Sequence, residues 1–244
     1  MKISVCMATY NGEKYITEQV VSILNQIGEN DELIISDDGS TDKTIDKLKE
    51  IGDRRIKIIF NNGKHGYTYN FENALKSSKG DIIFLSDQDD IWCSNKVSEV
   101  LKIIDKYDFI VHDCKTVDMN LHTISESRFE DMNVKSGFIS QMLRMRYLGC
   151  CMVFKRNVLD NLIPFPKSKY LVEHDTWIAS FCELYYKSYM LDKKLILYRR
   201  HESNVSDAGE GKGYPLHIKI LRRVYRLFCL FSRFPKVIMS KGGV

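Results

Sequence analysis

The first 112 residues alternate between two patterns of hydrophobic and polar positions. Short runs of consecutive apolar residues predict buried strands, and apolar residues three and four positions apart predict amphipathic helices between them. The predicted strands cover residues 3–8, 33–36, 56–60, 82–86 and 109–112. The predicted helices cover residues 13–27, 42–51, 67–78 and 94–106. This alternation predicts βαβ units, and therefore an α/β fold with a mostly parallel central sheet and helices on both faces.

After residue 113 the pattern becomes less regular. Residues 114–135 are polar and predict a surface excursion from the sheet. Further helices are predicted over residues 137–145 and 173–186, and further strands over 149–154 and 195–198. From Pro215 onward, apolar residues recur at helical spacing among basic residues, which predicts a basic amphipathic helix. We therefore expect one domain over residues 1–206 and a C-terminal amphipathic segment over residues 207–244.

The composition is typical of a globular protein with a full core. The 244 residues are 44% hydrophobic and 28% charged, and no apolar run approaches the roughly 20 residues of a membrane span. The seven cysteines lack the spacing of a disulfide framework, so we expect reduced thiols and a cytoplasmic location. Because the first predicted strand begins at residue 3, we expect no signal peptide.

The charge is distributed unevenly along the chain. The net charge is +4, but the residues from Lys212 onward contain eight Lys and Arg and no acid, while the first 211 residues carry −4. A basic, apolar tail is typical of a helix that lies on an anionic membrane surface, and the alternative is a helix packed on the domain. No aromatic-rich nucleic-acid module accompanies the basic residues, so we expect no nucleic-acid partner.

Three acids follow the apolar strand over residues 82–86 within four positions. They belong to the segment Asp87-Gln88-Asp89-Asp90, which begins where that strand ends. In open α/β sheets, ligands bind at the carboxyl ends of strands. Carboxylates packed this closely repel one another unless a cation compensates, and oxygen ligands favour Mg²⁺ or Mn²⁺, which bind phosphate. The alternative interpretation is a solvated acidic turn.

Two other predicted strands also end in polar turns. Thr9-Tyr10-Asn11 follows the first strand, and Asp37-Asp38 follows the second. The carboxyl ends of parallel strands meet at one edge, so these turns predict a nucleotide-sized site in which Asp38 accepts a hydrogen bond from a base or ribose. Neither the dinucleotide fingerprint G-x-G-x-x-G nor the P-loop sequence is present.

Several segments in this order resemble those of family-two glycosyltransferases. They are residues 5–12 (VCMATYNG), 35–42 (ISDDGSTD), 85–92 (LSDQDDIW), 149–154 (GCCMVF), 173–177 (EHDTW) and 197–201 (LYRRH). The resemblance spans about residues 2–206, and the third segment is similar to that of bacterial rhamnosyltransferase-like enzymes of polysaccharide synthesis. It implies a Rossmann-like GT-A fold. It also implies a UDP- or dTDP-sugar donor, a saccharide acceptor, and inversion of configuration at the anomeric carbon of the transferred sugar.

The resemblance also implies roles for ten residues. The residues implied to bind the nucleotide sugar are Thr9, Tyr10, Asn11, Asp38, Asn70, Asp87 and Gln88. Asp89 matches the ligand of Mn²⁺ or Mg²⁺, and His201 matches a further metal or pyrophosphate contact, with a satisfied surface histidine as the alternative. Asp175 matches the catalytic base, although many relatives have adjacent acids where His174 separates Glu173 from Asp175.

Together these expectations describe a metal-dependent hexosyltransferase. It would sit peripherally on the inner face of the plasma membrane and extend a lipid-linked saccharide for O-antigen or capsule. Two alternatives stay open at this point: a transferase acting on a protein or small-molecule acceptor away from the membrane, and a nucleotide-sugar-binding module without catalysis.

Overall fold

The structure is a computed structural model that describes residues 1–202 and 214–241. The strands in these ranges are β1 Ile3–Thr9, β2 Glu32–Asp37, β3 Ile56–Phe60, β4 Ile82–Ser86, β5 Ile91–Trp92, β6 Phe109–Val117, β7 Thr123–Ser125, β8 Met152–Lys155 and β9 Ser188–Arg199. The α-helices are α1 Ile16–Leu24, α2 Thr44–Ile51, α3 Tyr67–Ser77, α4 Lys96–Leu101, α5 Arg128–Asp131, α6 Phe138–Leu143, α7 Arg156–Leu162, α8 His174–Tyr185 and α9 Leu216–Lys241.

All of these strands belong to one sheet. Its order is β3-β2-β1-β4-β8-β6-β9-β5, and β7 pairs with β6. The first four strands in this order are parallel, as are β6 and β9. β1, β2 and β4 consist almost entirely of buried side chains, as expected for strands covered on both faces.

The topology explains why the polar turns meet. α1 joins β1 to β2 and α2 joins β2 to β3, so the chain moves outward along the sheet through both helices. α3 then joins β3 to β4 and moves back in the other direction. Because the crossovers are right-handed, α1 and α2 lie on one face of the sheet and α3 lies on the other. In the sheet register, Thr9 pairs with Asp37 and Met7 pairs with Ser86. The turns that follow β1, β2 and β4 therefore begin side by side at one edge.

The second half of the sheet departs from the local sequence pattern. β8 runs antiparallel between β4 and β6, so the predicted succession of parallel strands stops at β4. β6 extends to Val117 and β9 covers twelve residues, because the two strands pair with each other along their length. The pairing continues on both sides of two register shifts near Asp113. The predicted excursion over residues 114–135 accordingly contains the end of β6, β7 and α5.

Helix α9 packs on the domain along one side. Leu230 and Val237 are buried, and Tyr185 Oη donates a hydrogen bond to the Leu230 carbonyl at 2.8 Å. A neighbouring side of the helix exposes an apolar stripe, which consists of Leu216, Ile220, Val224, Phe228, Phe231, Phe234 and Ile238. None of the helices in the described ranges combines the length and apolar composition that a membrane crossing requires. The expected boundary between residues 206 and 207 lies outside the described residues.

Candidate functional site

A cavity of about 1730 Å³ opens at the sheet edge where β1, β2 and β4 end. This volume exceeds the roughly 300–1,000 Å³ of a site for one small ligand, so the cavity has room for two substrates. All ten residues singled out in the sequence line it, namely Thr9, Tyr10, Asn11, Asp38, Asn70, Asp87, Gln88, Asp89, Asp175 and His201.

Gln88 joins the turn after β4 to the turn after β1. Its Oε1 accepts hydrogen bonds from Thr9 Oγ1 at 2.6 Å and from the Tyr10 amide at 2.9 Å. Its Nε2 donates to the Tyr10 carbonyl at 3.1 Å. Gly12 lies so close that a Cβ there would stand 2.5 Å from Gln88 Oε1. Gln88 therefore holds the β1 turn in position where it lines the cavity, and the Tyr10 side chain is exposed at the cavity entrance.

The two acids after β2 have different environments. Asp37 is buried and accepts hydrogen bonds from the amides of Gly39 and Ser40 at 3.0 and 2.9 Å, which shapes the turn. Asp38 lines the cavity and accepts hydrogen bonds from Asn61 Nδ2 at 2.6 Å and the Gly66 amide at 2.7 Å. An ionised carboxylate has about four acceptor positions, so Asp38 keeps capacity for a ligand donor.

Asn11 and Asn70 hold the β1 turn in place. Asn11 has a φ of 47° and accepts a hydrogen bond from the Thr41 amide at 2.8 Å, which ties the β1 turn to the β2 turn. Asn70 projects from α3 and donates from Nδ2 to the Thr9 carbonyl at 3.0 Å. The buried Asn70 Oδ1 has no hydrogen-bond partner among the described residues, so it can accept one from a ligand.

The carboxylates after β4 are crowded. Burial and the neighbouring charge of Asp89 raise the pKa of Asp87 to about 7. The same causes hold the pKa of Asp90 well above its usual range. Asp90 is 1% exposed, and within the described ranges its Oδ2 lacks a hydrogen-bond partner. Without a cation, these acids are held partly in their protonated form.

The donor set fits a hard divalent ion. Ligand atoms of Asp87, Asp90 and Cys150 lie within 4.8 Å of one another. The Cys151 contact and burial hold the pKa of the Cys150 thiol well above its usual range, so carboxylate oxygens are the better ligands. His201 Nε2 lies 2.9 Å from Asp89 Oδ2 and stacks on Tyr15. Within this cluster, Asp87 and Asp90 are the carboxylates that could hold Mg²⁺ or Mn²⁺. Asp89, the expected metal ligand, is not in the cluster but follows Asp87 in the same turn and contacts His201.

Helix α8 begins at the opposite wall with the Glu173-His174-Asp175 segment. Glu173 accepts a hydrogen bond from Arg222 Nη2 at 2.8 Å, so its charge is neutralised. Asp175 accepts from the Thr176 amide at 2.5 Å, and burial raises its pKa. The buried His174 ring stacks on Phe71 with centroids 4.3 Å apart, which makes it a packing residue.

Several lining residues were not assigned to the site from the sequence. Lys219, Arg222, Arg223 and Arg226 project into the cavity wall from α9, where the basic tail was expected to face a membrane. The only sequence signal was their spacing of three and four, which places them on one helix side without indicating what that side contacts. Asp90 was noted in the acidic run but received no role.

Residues 4–163 match the family described as glycosyl transferase family 2. The match covers more than half of the chain. The chain belongs to this family. The expected resemblance is thereby confirmed, and so is the GT-A fold, because family-two relatives and solved structures align with most of the domain. The chain spans 34–66% of the length of the first three curated relatives that it matches.

The names of two relatives specify the sugar that each transfers. The dTDP-rhamnosyl transferase RfbG of Shigella flexneri is 30% identical over 81% of this chain and 72% of its own length. The Escherichia coli UDP-Glc:alpha-D-GlcNAc-diphosphoundecaprenol beta-1,3-glucosyltransferase WfgD is 39% identical over 39% of this chain and 38% of its own. Both names describe sugar transfer, in agreement with the family match.

Two solved structures share the fold. TarS of S. aureus in complex with UDP-GlcNAc has a TM-score of 0.70 and 22% identity over 92% of this chain and 66% of its own. Mannosyltransferase PcManGT from Pyrobaculum calidifontis, in complex with GDP-Man and Mn²⁺, has a TM-score of 0.63 and 15% identity. The match covers 99% of this chain and 75% of the mannosyltransferase chain. At these identities the likeness shows the fold alone.

Proposed function

We propose that this protein is an inverting, divalent-metal-dependent hexosyltransferase of surface polysaccharide synthesis. It moves a hexose or deoxyhexose from a UDP- or dTDP-sugar to a hydroxyl of a lipid-linked saccharide. The observation that carries the proposal is the shared cavity, which Asp87 and Asp89 line together with Asp38 and Asp175. The charge of Asp175 also contributes to the raised pKa of Asp87, so the two acids interact across this space.

The nucleotide occupies the sheet edge in this proposal. Asp38 accepts a hydrogen bond from the base or ribose, and Asn70 Oδ1 offers a second acceptor. Gln88 and Asn11 act by holding the β1 turn rather than by specific recognition, because their side chains bind neighbouring turns. The names of the relatives support nucleotide-sugar donors of the UDP and dTDP types.

Asp175 is the catalytic base in this proposal. Transfer with inversion needs one carboxylate that takes the acceptor hydroxyl proton as the oxygen attacks the anomeric carbon, and such a base contributes ~10²–10⁴-fold to the rate. No second carboxylate is needed as nucleophile. Glu173 is held by Arg222, which supports Asp175 over Glu173 as the group available to the acceptor. An available base also favours an enzyme over a binding module.

The diphosphate of the donor lies beside Asp87 and Asp89, which line the cavity, whereas Asp90 is buried next to them in the chain. A divalent ion bound there would stabilise the negative charge that develops on the leaving nucleoside diphosphate. The raised pKa values of Asp87 and Asp90 support a cation at this position, since the acids repel one another without it. His201 is placed to orient Asp89.

The membrane contact is proposed to lie on the apolar stripe of α9. Most tail arginines face the domain, which corrects the expectation that they supply the attraction to an anionic surface. Arg223 and Arg226, for example, donate to the Met142 carbonyl at 3.0 and 2.9 Å. The stripe residues are each more than half exposed, and such a row of Phe, Leu and Ile on a helix is typical of interfacial binding. The proposal therefore includes peripheral attachment to a membrane, which we place at the inner face of the plasma membrane.

A ligand screen tests the proposed donor and metal. Thermal unfolding is followed with UDP, dTDP and GDP and their sugars, each in Mn²⁺, Mg²⁺ or EDTA. We expect a UDP or dTDP compound to raise the Tm in the presence of metal, and the Asp89→Asn variant to lose the metal-dependent part. Equal stabilisation in EDTA would contradict the metal, and no stabilisation by any nucleotide would contradict the function.

A further inference from the structure

The wall of the cavity beside Asp175 is strongly cationic. Its cationic residues come from α9 and from the segment after α6, and they are Arg144, Arg146, Lys219, Arg222, Arg223 and Arg226. The nearby acids are Glu173, which pairs with Arg222, and Asp175. Arg223 and Arg226 instead contact the neutral backbone carbonyls of Met142 and Leu143. Most of this positive charge is therefore uncompensated by the described part of the chain.

Several guanidinium donors on this wall are buried without a partner. Arg226 is 5% exposed, and its Nε has no hydrogen-bond partner within residues 1–202 and 214–241. The same holds for Arg222 Nη1 and Arg146 Nε. Burial and the charges of Arg223 and Arg222 lower the pKa of Arg226 to about 10, which is the mark of like charges held together. Buried donors without partners are costly unless a ligand binds them.

In the proposed arrangement, the cationic wall and the donor diphosphate occupy different parts of the cavity. The donor diphosphate belongs with the acids after β4, which attract a metal ion, whereas Arg222 and Arg226 act electrostatically on Asp175. Asp175 is the group proposed to meet the acceptor hydroxyl, so an anion bound by these arginines would belong to the acceptor. Arginine suits this role because its planar fork binds phosphate oxygens in pairs.

We propose that Arg222, Arg226 and the surrounding cations form an acceptor subsite for a phosphate group. The proposal rests on the proposed transferase function and specifies its acceptor as a saccharide that carries phosphate close to the hydroxyl attacked. The phosphate belongs either to a lipid diphosphate or to a polyol-phosphate chain. The apolar stripe of α9 starts at the same end of the helix as the cationic wall, which suits a lipid leaving the cavity along α9.

Calorimetric titration tests the subsite while nucleotide fills the donor site. The protein is first saturated with UDP or dTDP and Mn²⁺, and then titrated with farnesyl diphosphate, with glycerol phosphate oligomers, or with farnesol as the phosphate-free control. We expect one phosphate probe to bind and farnesol to bind much more weakly. Preference for farnesyl diphosphate would identify a lipid diphosphate, and preference for the oligomers would identify a polyol phosphate.

Arg222→Gln and Arg226→Gln should weaken phosphate binding about tenfold or more, because each removes a charged hydrogen-bond donor. Lys219→Gln, at an exposed lysine, repeats the test if the buried variants do not fold. Arg233→Gln is the matched control, since Arg233 also lies on α9 and donates to the Ile163 carbonyl, outside the cavity. Equal phosphate affinity in all variants, or no binding by the wild type, would overturn the subsite.

Saturation with UDP or dTDP before the titration distinguishes failure of the proposed transferase function from failure of the proposed phosphate subsite. If no nucleoside diphosphate binds, the transferase function fails, and the comparison of the Arg222 and Arg233 variants without nucleotide still decides whether the phosphate site exists. If nucleotide binds and neither phosphate probe does, only the acceptor subsite fails.

Discussion

At the scale of single residues, Asp175 is the group on which catalysis depends in our proposal. Asp175→Asn keeps the size of the side chain and removes its basicity, so we expect kcat to fall by at least ~10²-fold with little change in nucleotide affinity. Steady-state kinetics and nucleotide titration measure the two effects. Glu173→Gln is the control, because Glu173 is already paired with Arg222. An inactive Glu173→Gln enzyme beside an active Asp175→Asn enzyme would reverse the assignment.

The pH dependence of activity should report the same carboxylate. Burial raises the pKa of Asp175, and a base works only when ionised. The acid limb of the kcat profile should therefore lie above the ordinary Asp value of about 3.9. A profile that stays flat down to pH 4 would show that the base is another group or an unperturbed one.

A buried histidine predicts a separate effect of pH on stability. Burial lowers the pKa of His174 to about 4. Above the unfolded-state pKa of about 6.5, the ring is neutral in both states and burying it carries no penalty. Between about pH 6.5 and pH 4 the unfolded chain binds a proton that the folded protein does not, so the stability of the fold decreases as the pH falls through this range. His174→Phe should reduce that acid-side loss in urea unfolding, whereas His217→Phe, at an exposed position on α9, should leave it unchanged. Equal pH slopes in both variants would contradict the argument.

The pattern alone predicted that residues 9–11, Asp38 and residues 87–89 meet at one edge, because they follow predicted strands directly. Asn70, Asp175 and His201 were assigned to the site by the family resemblance, and they line the same cavity. Their individual roles stay predictions. Asp90 and the α9 arginines received no role in the site, since nothing local indicates how deeply an acid is buried or which side of a helix meets the domain. Those facts depend on contacts between distant parts of the chain, such as Arg226 with Met142.

At the scale of elements, the close approach of Gly12 to Gln88 holds two strand ends together. A Cβ at Gly12 would stand 2.5 Å from Gln88 Oε1, so Gly12→Ala should displace Gln88 and the β1 turn that it binds. We expect weaker nucleotide binding, measured by titration, with the fold retained. Gly28→Ala is the control, because its Cβ would meet Asp31 at an ordinary 3.4 Å. Unchanged affinity in Gly12→Ala would contradict this role.

The elements were predictable in the first half of the chain and less so in the second. β1 to β4 are short, mostly apolar runs separated by amphipathic helices, so their pattern specifies them locally. β6 and β9 contain charged residues such as Lys115 and Lys193, and they extend because each pairs with the other. The antiparallel insertion of β8 between β4 and β6 likewise depends on long-range pairing that no local period reveals.

At the scale of the whole molecule, α9 joins the cavity to the proposed membrane contact. Changing Phe228 and Phe231 to Ser removes apolar area from the exposed stripe without touching the packed side of the helix. Burial of each Phe is worth about 1.5–3 kcal/mol, so vesicle binding should fall by about tenfold or more. Flotation with vesicles of phosphatidylglycerol and phosphatidylcholine measures this loss.

Ile124→Ser is the matched control for the stripe, because Ile124 is exposed on β7, away from α9. It should leave vesicle binding unchanged. If the double variant binds vesicles as well as the wild type but changes from dimer to monomer in sedimentation, the stripe covers a second copy of the chain instead of a membrane.

The central claim is that one base and one metal-assisted leaving group transfer a sugar with inversion. Proton NMR of the anomeric signals during turnover tests it most directly, using the nucleotide sugar that the ligand screen selects and a phosphate-bearing saccharide acceptor. We expect metal-dependent loss of the donor signal and a product of opposite anomeric configuration. A product that retains the donor configuration, or equal turnover in EDTA, would contradict the account.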